Sequence, residues 1–390
     1  MKQCNRCLYT DDILGVIIGE SGQCNFCDMH DSLEKQYPVS WGNLAKTFDR
    51  IKERGKGHHY DCLVGISGGV DSTFMLHLCK VYGARVFAFH FDNGFNTDQA
   101  GHNMKVALQY TGFISNTFHL HPNIWRKVNI AVLMAGVSDA DIPNDIAMAK
   151  LMLDEAHKWD CPTILNGHSF RNEGSVPIGW TYMDGAYLKD MYREYWHDEI
   201  PKDFPILSVW DQIKASLRGI KHERILYNLG LTKAEQVKML KEVIDFKEYS
   251  GHHAENDYTS FAGMVTYGRY GIDKRIVVLS AQIRSGRITK REAQITLSEK
   301  PYETLTPPLF YRMRDELGLN REVDMKLNKT LEGLHSIWWY IELMPRKMFY
   351  EFQTYQKTFR KYRWLVKIAV KMGFLPETFL RKYCQKIEPK

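Results

Sequence analysis

CLVGISGGVDSTFML, from Cys62 to Leu76, sets an apolar run against a turn of two glycines, flanked by serines and carrying an aspartate. The run is short and rich in Leu, Val and Ile, which reads as a buried strand. STFMLHLCKVYG, starting at Ser72, reads as a helix with a glycine stop. The turn therefore lies at the carboxyl end of a strand, where open α/β sheets bind ligands. Gly68 and Gly69 let the backbone approach an anion, and the free N–H groups of a helix start favour phosphate. Ser67 and Ser72 add hydroxyl donors around Val70. Asp71 repels phosphate, so its simplest role is to hold a magnesium ion that bridges phosphate oxygens. The turn lacks the lysine of the G-x-x-x-x-G-K-S/T loop and the spacing of G-x-G-x-x-G. The plain alternative is a structural Gly-Gly turn.

Working outward, YDCLVGI, RVFAFHF, ISNTFHL and PTILNG read as strands. Between and before them, LAKTFDRIKERGKG, NTDQAGHNMKVALQYTG and DIAMAKLMLDEAHKW read as helices, the second with Asn96 or Thr97 as its cap. Strand and helix in alternation predict an α/β fold: a mostly parallel sheet with helices on both faces. Beyond about Asn172 the alternation stops. KAEQVKMLKEVIDF, RIVVLSAQIRSG and TKREAQITLSE read as helices, which predicts a mainly α C-terminal region. The boundaries expected are a cysteine module over 1–35, a nucleotide-binding α/β domain over 36–175, a helical substrate or partner region over 176–305, and a basic aromatic tail over 306–390.

The chain's 390 residues suit two or three domains, and 44% hydrophobic with 25% charged residues suits a soluble protein with a sizeable core. The start, MKQCNRCLYT, has no apolar signal region, and no stretch is apolar enough to predict a transmembrane segment. The net charge of +6 is uneven: Tyr340 to Lys390 holds 12 Lys+Arg against 4 Asp+Glu, so the rest is near neutral. That differs from an evenly basic nucleic-acid binder, and no nucleic-acid partner is expected. In the tail, cations interleave with large apolar residues around 350–375, which suits helix packing, partner contact or peripheral contact with an anionic membrane.

Four of the eight cysteines, Cys4, Cys7, Cys24 and Cys27, fall within the first 27 residues as two C-x-x-C pairs. That spacing predicts a closed structural zinc site in a reducing cytoplasm. Two disulfides or an iron–sulfur cluster are the rivals.

The S-G-G-x-D-S turn after a buried strand resembles the PP-loop of the ATP pyrophosphatase superfamily, over roughly 58–175. The resemblance implies that Ser67, Gly68, Gly69, Val70, Asp71 and Ser72 grip the pyrophosphate of ATP with magnesium. It places adenine and ribose near His90, Phe91, Asp92 and Asn93. ILNGHSFRNEG resembles the superfamily's second glycine loop, with Gly167, His168, Asn172 and Glu173 toward the nucleotide or acceptor.

YGRYGIDKRIVVLSAQIRSGRITKREAQITLSEKPY, Tyr267 to Tyr302, together with GHHAENDYTSF and the four cysteines, resembles the N-acetyl sugar amidotransferase family of surface-polysaccharide biosynthesis. The resemblance implies adenylation of the acetamido oxygen of a nucleotide-linked sugar, then displacement of AMP by ammonia to leave an acetamidino group. It implies two partners, a glutaminase and a cyclase-like barrel subunit. His252, His253, Glu255 and Asn256 are candidates for the sugar site, and Lys274 and Arg275 for charge neutralisation. The rival readings are a PP-loop tRNA sulfurtransferase and a non-catalytic zinc-ribbon adaptor.

Overall fold

The computed structural model describes residues 1–319 except 14, 178–179, 181–184, 250–254, 300 and 302–305, with backbone alone at 306–307. Helices α1 (Asn25–Gln36) and α2 (Trp41–Arg54) lead into the sheet. Then β1 (Cys62–Gly65), α3 (Val70–Val81), β2 (Val86–Asp92), α4 (Asp98–Thr111) and β3 (Ile114–His119) alternate. Two helices, α5 (Pro122–Ala135) and α6 (Ile142–Lys158), make the crossover to β4 (Thr163–Leu165). After α7 (Gly185–Trp196) and α8 (Val209–Leu217), β5 (Lys221–Glu223) closes the sheet. The remaining α-helices among the described residues are α9 (Lys233–Val243), α10 (Asp257–Tyr270), α11 (Arg275–Arg284), α12 (Lys290–Ser298) and α13 (Thr306–Leu317).

All pairings are parallel, in the order β3-β2-β1-β4-β5. The chain moves outward from β1 to β3, then crosses back to β4. This puts a topological switch point between β1 and β4, where such sheets form a ligand crevice. Side-chain alternation sorts the two faces. Val64, Val86 and Ala88 pack with α2, α3 and α9, while Leu63, Phe87 and Phe89 pack with α6 and Ala215 of α8.

Two features depart from the sequence reading. The α/β alternation does not end at Asn172, because β5 pairs with β4 through Thr163–Lys221, Ile164–His222 and Leu165–Glu223. Its three residues are Lys, His and Glu on a sheet edge, so the strand is held by backbone pairing and has no apolar pattern to betray it. Helix α3 also starts two residues earlier than Ser72, which brings Asp71 and Ser72 into its first turn. The Thr97 side chain caps α4, accepting from the Ala100 N–H at 3.2 Å.

A further apolar core joins α5, α7, α10 and α13 beside the sheet. Another gathers Cys4, Cys7, Tyr9, Cys24, Phe26 and Cys27 with Trp180 and Val277. Among the described residues no helix is long and apolar enough to cross a membrane. The tail beyond residue 319, which includes Cys384, and His252 and His253 lie outside the described residues, while α13 forms its first part.

Candidate active site

The turn after β1 is shaped by its own polar groups. Gly68 has φ +78°, and a Cβ there would sit 2.3 Å from the Ala100 carbonyl oxygen. Its own carbonyl is turned away from the helix start and accepts from Asn103 Nδ2 at 3.1 Å and from the Tyr249 hydroxyl at 2.9 Å. The Ser67 N–H donates to Ser72 Oγ at 3.2 Å, the Gly69 N–H to Ser67 Oγ at 3.3 Å, and Ser72 Oγ to the Gly69 carbonyl at 3.2 Å. The two serines thus lock the turn as well as lining it. The first N–H groups of α3, from Val70 to Ser72, lack intrahelical partners and carry the positive end of the helix dipole. Gly68→Ala is expected to destabilise the fold by about 1–3 kcal/mol, through a left-handed backbone and a blocked approach, and to abolish anion binding at the turn. Thermal melting and calorimetric titration check this.

Asp71 is the charged centre of the site. One carboxylate oxygen, Oδ2, is bonded to Lys233 Nζ. The other, Oδ1, is buried with no hydrogen-bond partner. A buried carboxylate oxygen left so is costly unless a ligand completes it. Lys233 is the first residue of α9, and its ammonium also lies 3.3 Å from Glu173 Oε1. A third carboxylate comes from far along the chain: Glu255 Oε1 lies 3.0 Å from where a Cβ on Gly69 would stand.

Glu255 and Asn256 are strapped to the loop after β2. The Glu255 carbonyl accepts from the Thr97 N–H at 3.0 Å and from its hydroxyl at 3.3 Å. Asn256 Nδ2 donates to Asn93 Oδ1 at 2.8 Å, and the Asp257 N–H donates to the Phe95 carbonyl at 2.9 Å. Asn256 also caps α10, accepting from the N–H groups of Tyr258 and Thr259.

The other expected residues fall around this centre. His90 Nδ1 donates to the Ile66 carbonyl at 2.7 Å, and its Nε2 accepts from Asn96 Nδ2 at 2.9 Å. Burial lowers its pKa, so the ring is a neutral brace between β1 and β2. Phe91 stacks on Phe118. Asp92 Oδ1 accepts from the Gly94 N–H at 2.8 Å and from Asn96 Nδ2 at 3.0 Å. At the exit of β4, Gly167 faces the Met75 and Asp71 side chains. His168 donates from Nε2 to the Gly174 carbonyl at 2.6 Å and accepts at Nδ1 from the Tyr227 hydroxyl at 3.0 Å. Both its nitrogens are used, one within the loop and one on the turn after β5. Asn172 is likewise engaged, with the Leu231 carbonyl and Arg287. Lys274 pairs with Asp139 at 2.9 Å and Arg275 with Asp273 at 2.8 Å.

Lys233 was not foreseen in the sequence. Its signal was a cation in the first turn of a helix, where the macrodipole disfavours it. About a third of its side chain is exposed (33%), yet burial of the ammonium lowers its pKa to about 8, against the opposing pull of Glu255. The charge is therefore present below about pH 8 and lost above it. Affinity of the turn for pyrophosphate is expected to fall as pH rises through about 8, and Lys233→Arg is expected to remove that dependence. Calorimetric titrations of the two proteins across pH check it.

The four N-terminal cysteines converge away from the turn. All are buried, and their sulfurs lie within 4.8 Å of one another, with Cys4–Cys27 at 3.7 Å and both Cys7–Cys24 and Cys24–Cys27 at 3.6 Å. This donor set can hold one metal ion and leaves no ligand position open.

The parallel sheet, its switch point and the S-G-G-x-D-S turn before α3 are the arrangement that the resemblance to the PP-loop ATP pyrophosphatases implies. Residues 245–367 match the family model of the LPS biosynthesis protein WbpG-like, C-terminal domain. That segment is the one that delivers Glu255, Asn256, α10 and α11. No curated protein matches the chain. Among solved structures, the chain is similar to an NH3-dependent NAD synthetase from Campylobacter jejuni (14% identity, 73% of this chain, 96% of that chain, TM-score 0.30). It is similar to the U34-tRNA thiolase NcsA from Methanococcus maripaludis (14%, 78% and 91%, TM-score 0.33). It is also similar to an NMN synthetase from Francisella tularensis (12%, 55% and 89%, TM-score 0.29).

Proposed function

We propose that the protein is an AMP-forming amidotransferase that converts the acetamido group of a nucleotide-linked sugar to an acetamidino group during lipopolysaccharide or O-antigen synthesis. The observation that carries the reading is the strap at Glu255–Asp257. It brings the segment that matches the WbpG-like model against the Ser67–Ser72 turn, at the Gly69 face, and against the Asn93–Thr97 loop, which supports a shared site.

The first N–H groups of α3 and the Lys233 ammonium receive the outer two phosphates of ATP. Asp71 and Glu173 would hold magnesium, which offsets phosphate charge when bound; the unpartnered Asp71 Oδ1 suits that duty. The acetamido oxygen attacks the α-phosphorus. A new P–O bond forms, the bond to pyrophosphate breaks, and an O-adenylyl imidate results. Ammonia then bonds to the imidate carbon, the C–O bond breaks, and AMP leaves with the original acetamido oxygen. ATP is required because an amide oxygen alone is a poor leaving group. The protein's part is to hold the acetamido oxygen in line and to stabilise phosphate charge.

The cysteine site takes zinc in this reading. A tetrahedral ion with Zn–S bonds near 2.3 Å sets its sulfurs about 3.8 Å apart, close to the spacing here, whereas an iron–sulfur cluster spreads its thiolates over separate irons. A glutaminase and a cyclase-like barrel subunit supply the ammonia, and the protein works in the cytoplasm. The tail over 350–375 serves partner contact or peripheral membrane contact.

The test uses purified protein, ATP, magnesium, ammonium and a nucleotide-linked acetamido sugar labelled with heavy oxygen in the acetamido carbonyl. Mass spectrometry should find an amidine in the sugar and the heavy oxygen in AMP. AMP without the label refutes this acceptor. Thiolation of tRNA from a sulfur donor would establish the sulfurtransferase instead, and failure to form AMP with any acceptor would leave an adaptor.

A further inference from the structure

Arg284 ends α11, far along the chain from the cysteines, yet it is 6% exposed and its Nη2 donates to Cys7 Sγ at 3.2 Å. The guanidinium lies 4.6 Å from the centre of the Tyr9 ring, and its Nε is buried without a partner. A buried cation of this kind is costly unless an anion answers it. Four thiolates around a divalent ion carry a net charge of about −2, which answers it.

The junction around this pair is built from both sides. Arg6 donates to the Arg284 carbonyl at 2.9 Å while pairing with Asp31 at 2.8 Å. Lys290 donates to the Cys4 carbonyl at 2.7 Å, and the Leu8 N–H to Ser280 Oγ at 3.3 Å. The Tyr9 hydroxyl reaches the Ser175 carbonyl at 2.6 Å. On its other side α11 presses on Gly174, whose φ is +77°. A Cβ there would lie 2.8 Å from the Val277 carbonyl oxygen and 3.0 Å from Ala281 Cβ. Gly174 accepts the His168 hydrogen bond, and its neighbour Glu173 pairs with Lys233 beside Asp71.

We propose that Arg284 is a positioning residue with two tasks: it is the counter-charge and hydrogen-bond donor of the metal-bound Cys7 thiolate, and through α11 it fixes the Gly174 end of the loop that carries Glu173. The metal centre then sets the shape of the ATP site from a distance. This rests on the cysteines holding a metal and is independent of the identity of the acceptor.

The experiment uses the full chain loaded with cobalt(II) in place of the native metal, and compares Arg284→Lys, Arg284→Met and Lys290→Met with wild type. Transfer of metal to a chromogenic chelator should be about 10–100-fold faster in R284M, the usual cost of losing an outer hydrogen-bond partner. The thiolate-to-cobalt charge-transfer band should shift in R284K and R284M. It should stay unshifted in K290M, which loses a clamp contact that reaches no sulfur. ATP binding by the loaded R284K protein should weaken in step with metal retention. Should R284M not accumulate as folded protein, the band and the release rate of R284K decide. Wild-type release and an unshifted band in R284K overturn the thiolate role. A shifted band with wild-type ATP binding overturns the link to the Glu173 loop.

Discussion

Asp71→Asn should cut the formation of AMP and pyrophosphate by about 10³-fold while the chain stays folded. The substitution keeps the size of the side chain and removes its charge. Asp71 Oδ1 then no longer offers an anionic oxygen to magnesium, and Lys233 loses one of its two carboxylate partners and keeps Glu173. A half-buried cation with one anion fewer costs stability, so a lowered melting temperature accompanies the loss. Lys233→Met combined with Asp71→Asn should recover part of that stability and none of the activity, because the two charges go together. Pyrophosphate release and thermal melting, measured on both single variants and the double variant, check this. A double variant that turns over like wild type would remove Asp71 from the chemistry.

Loss of the N-terminal metal should have the second large effect. Cys24→Ser, or exhaustive chelation of the wild-type protein, is expected to release the metal, lower stability by more than about 4 kcal/mol and weaken ATP binding. Apart from Tyr9, Phe26 and a few aliphatics, the residue 1–35 core is made of the four cysteines themselves. Without the ion those sulfurs become buried thiols, and the docking of Arg6 and Leu8 on α11, and of the Cys4 carbonyl on Lys290 of α12, loses its frame. The sign with pH follows from the ligands: thiolates take up protons as pH falls, so the metal is held at neutral pH and released in acid. Metal content by atomic emission across a pH series, alongside melting curves, reads it. Melting that is unchanged after complete metal removal would make the site dispensable.

Much of this was legible in the chain because it obeys local rules. CLVG, VFAFHFD and TIL are compact strands, and the turn after the first of them is marked by its paired glycines and flanking serines. The cysteine spacing sufficed to foresee that the four sulfurs meet, since two C-x-x-C pairs need little else to converge. The fifth strand was not legible, because Lys221, His222 and Glu223 are chosen by an edge position and not by a core. Lys233 was hidden for a different reason. A lysine at a helix start is one of many charged surface residues until the fold brings it within reach of Asp71, 162 positions away in the chain. Glu255 and Asn256 could be named from a loop that looked functional. Their attachment to Thr97 and Asn93 is a tertiary fact with no periodicity behind it. His90 and His168 show the converse: each looks like a ligand in the sequence, and each spends both ring nitrogens on bracing a loop.

The central claim is that the turn from Ser67 to Ser72 seats a triphosphate for cleavage between its α and β phosphates. Phosphorus NMR of the products formed from ATP, magnesium, ammonium and a nucleotide-linked acetamido sugar tests it most directly. The account predicts AMP and pyrophosphate in equal amounts, with both slowed about 10³-fold in Asp71→Asn. ADP and inorganic phosphate as the first products would contradict it.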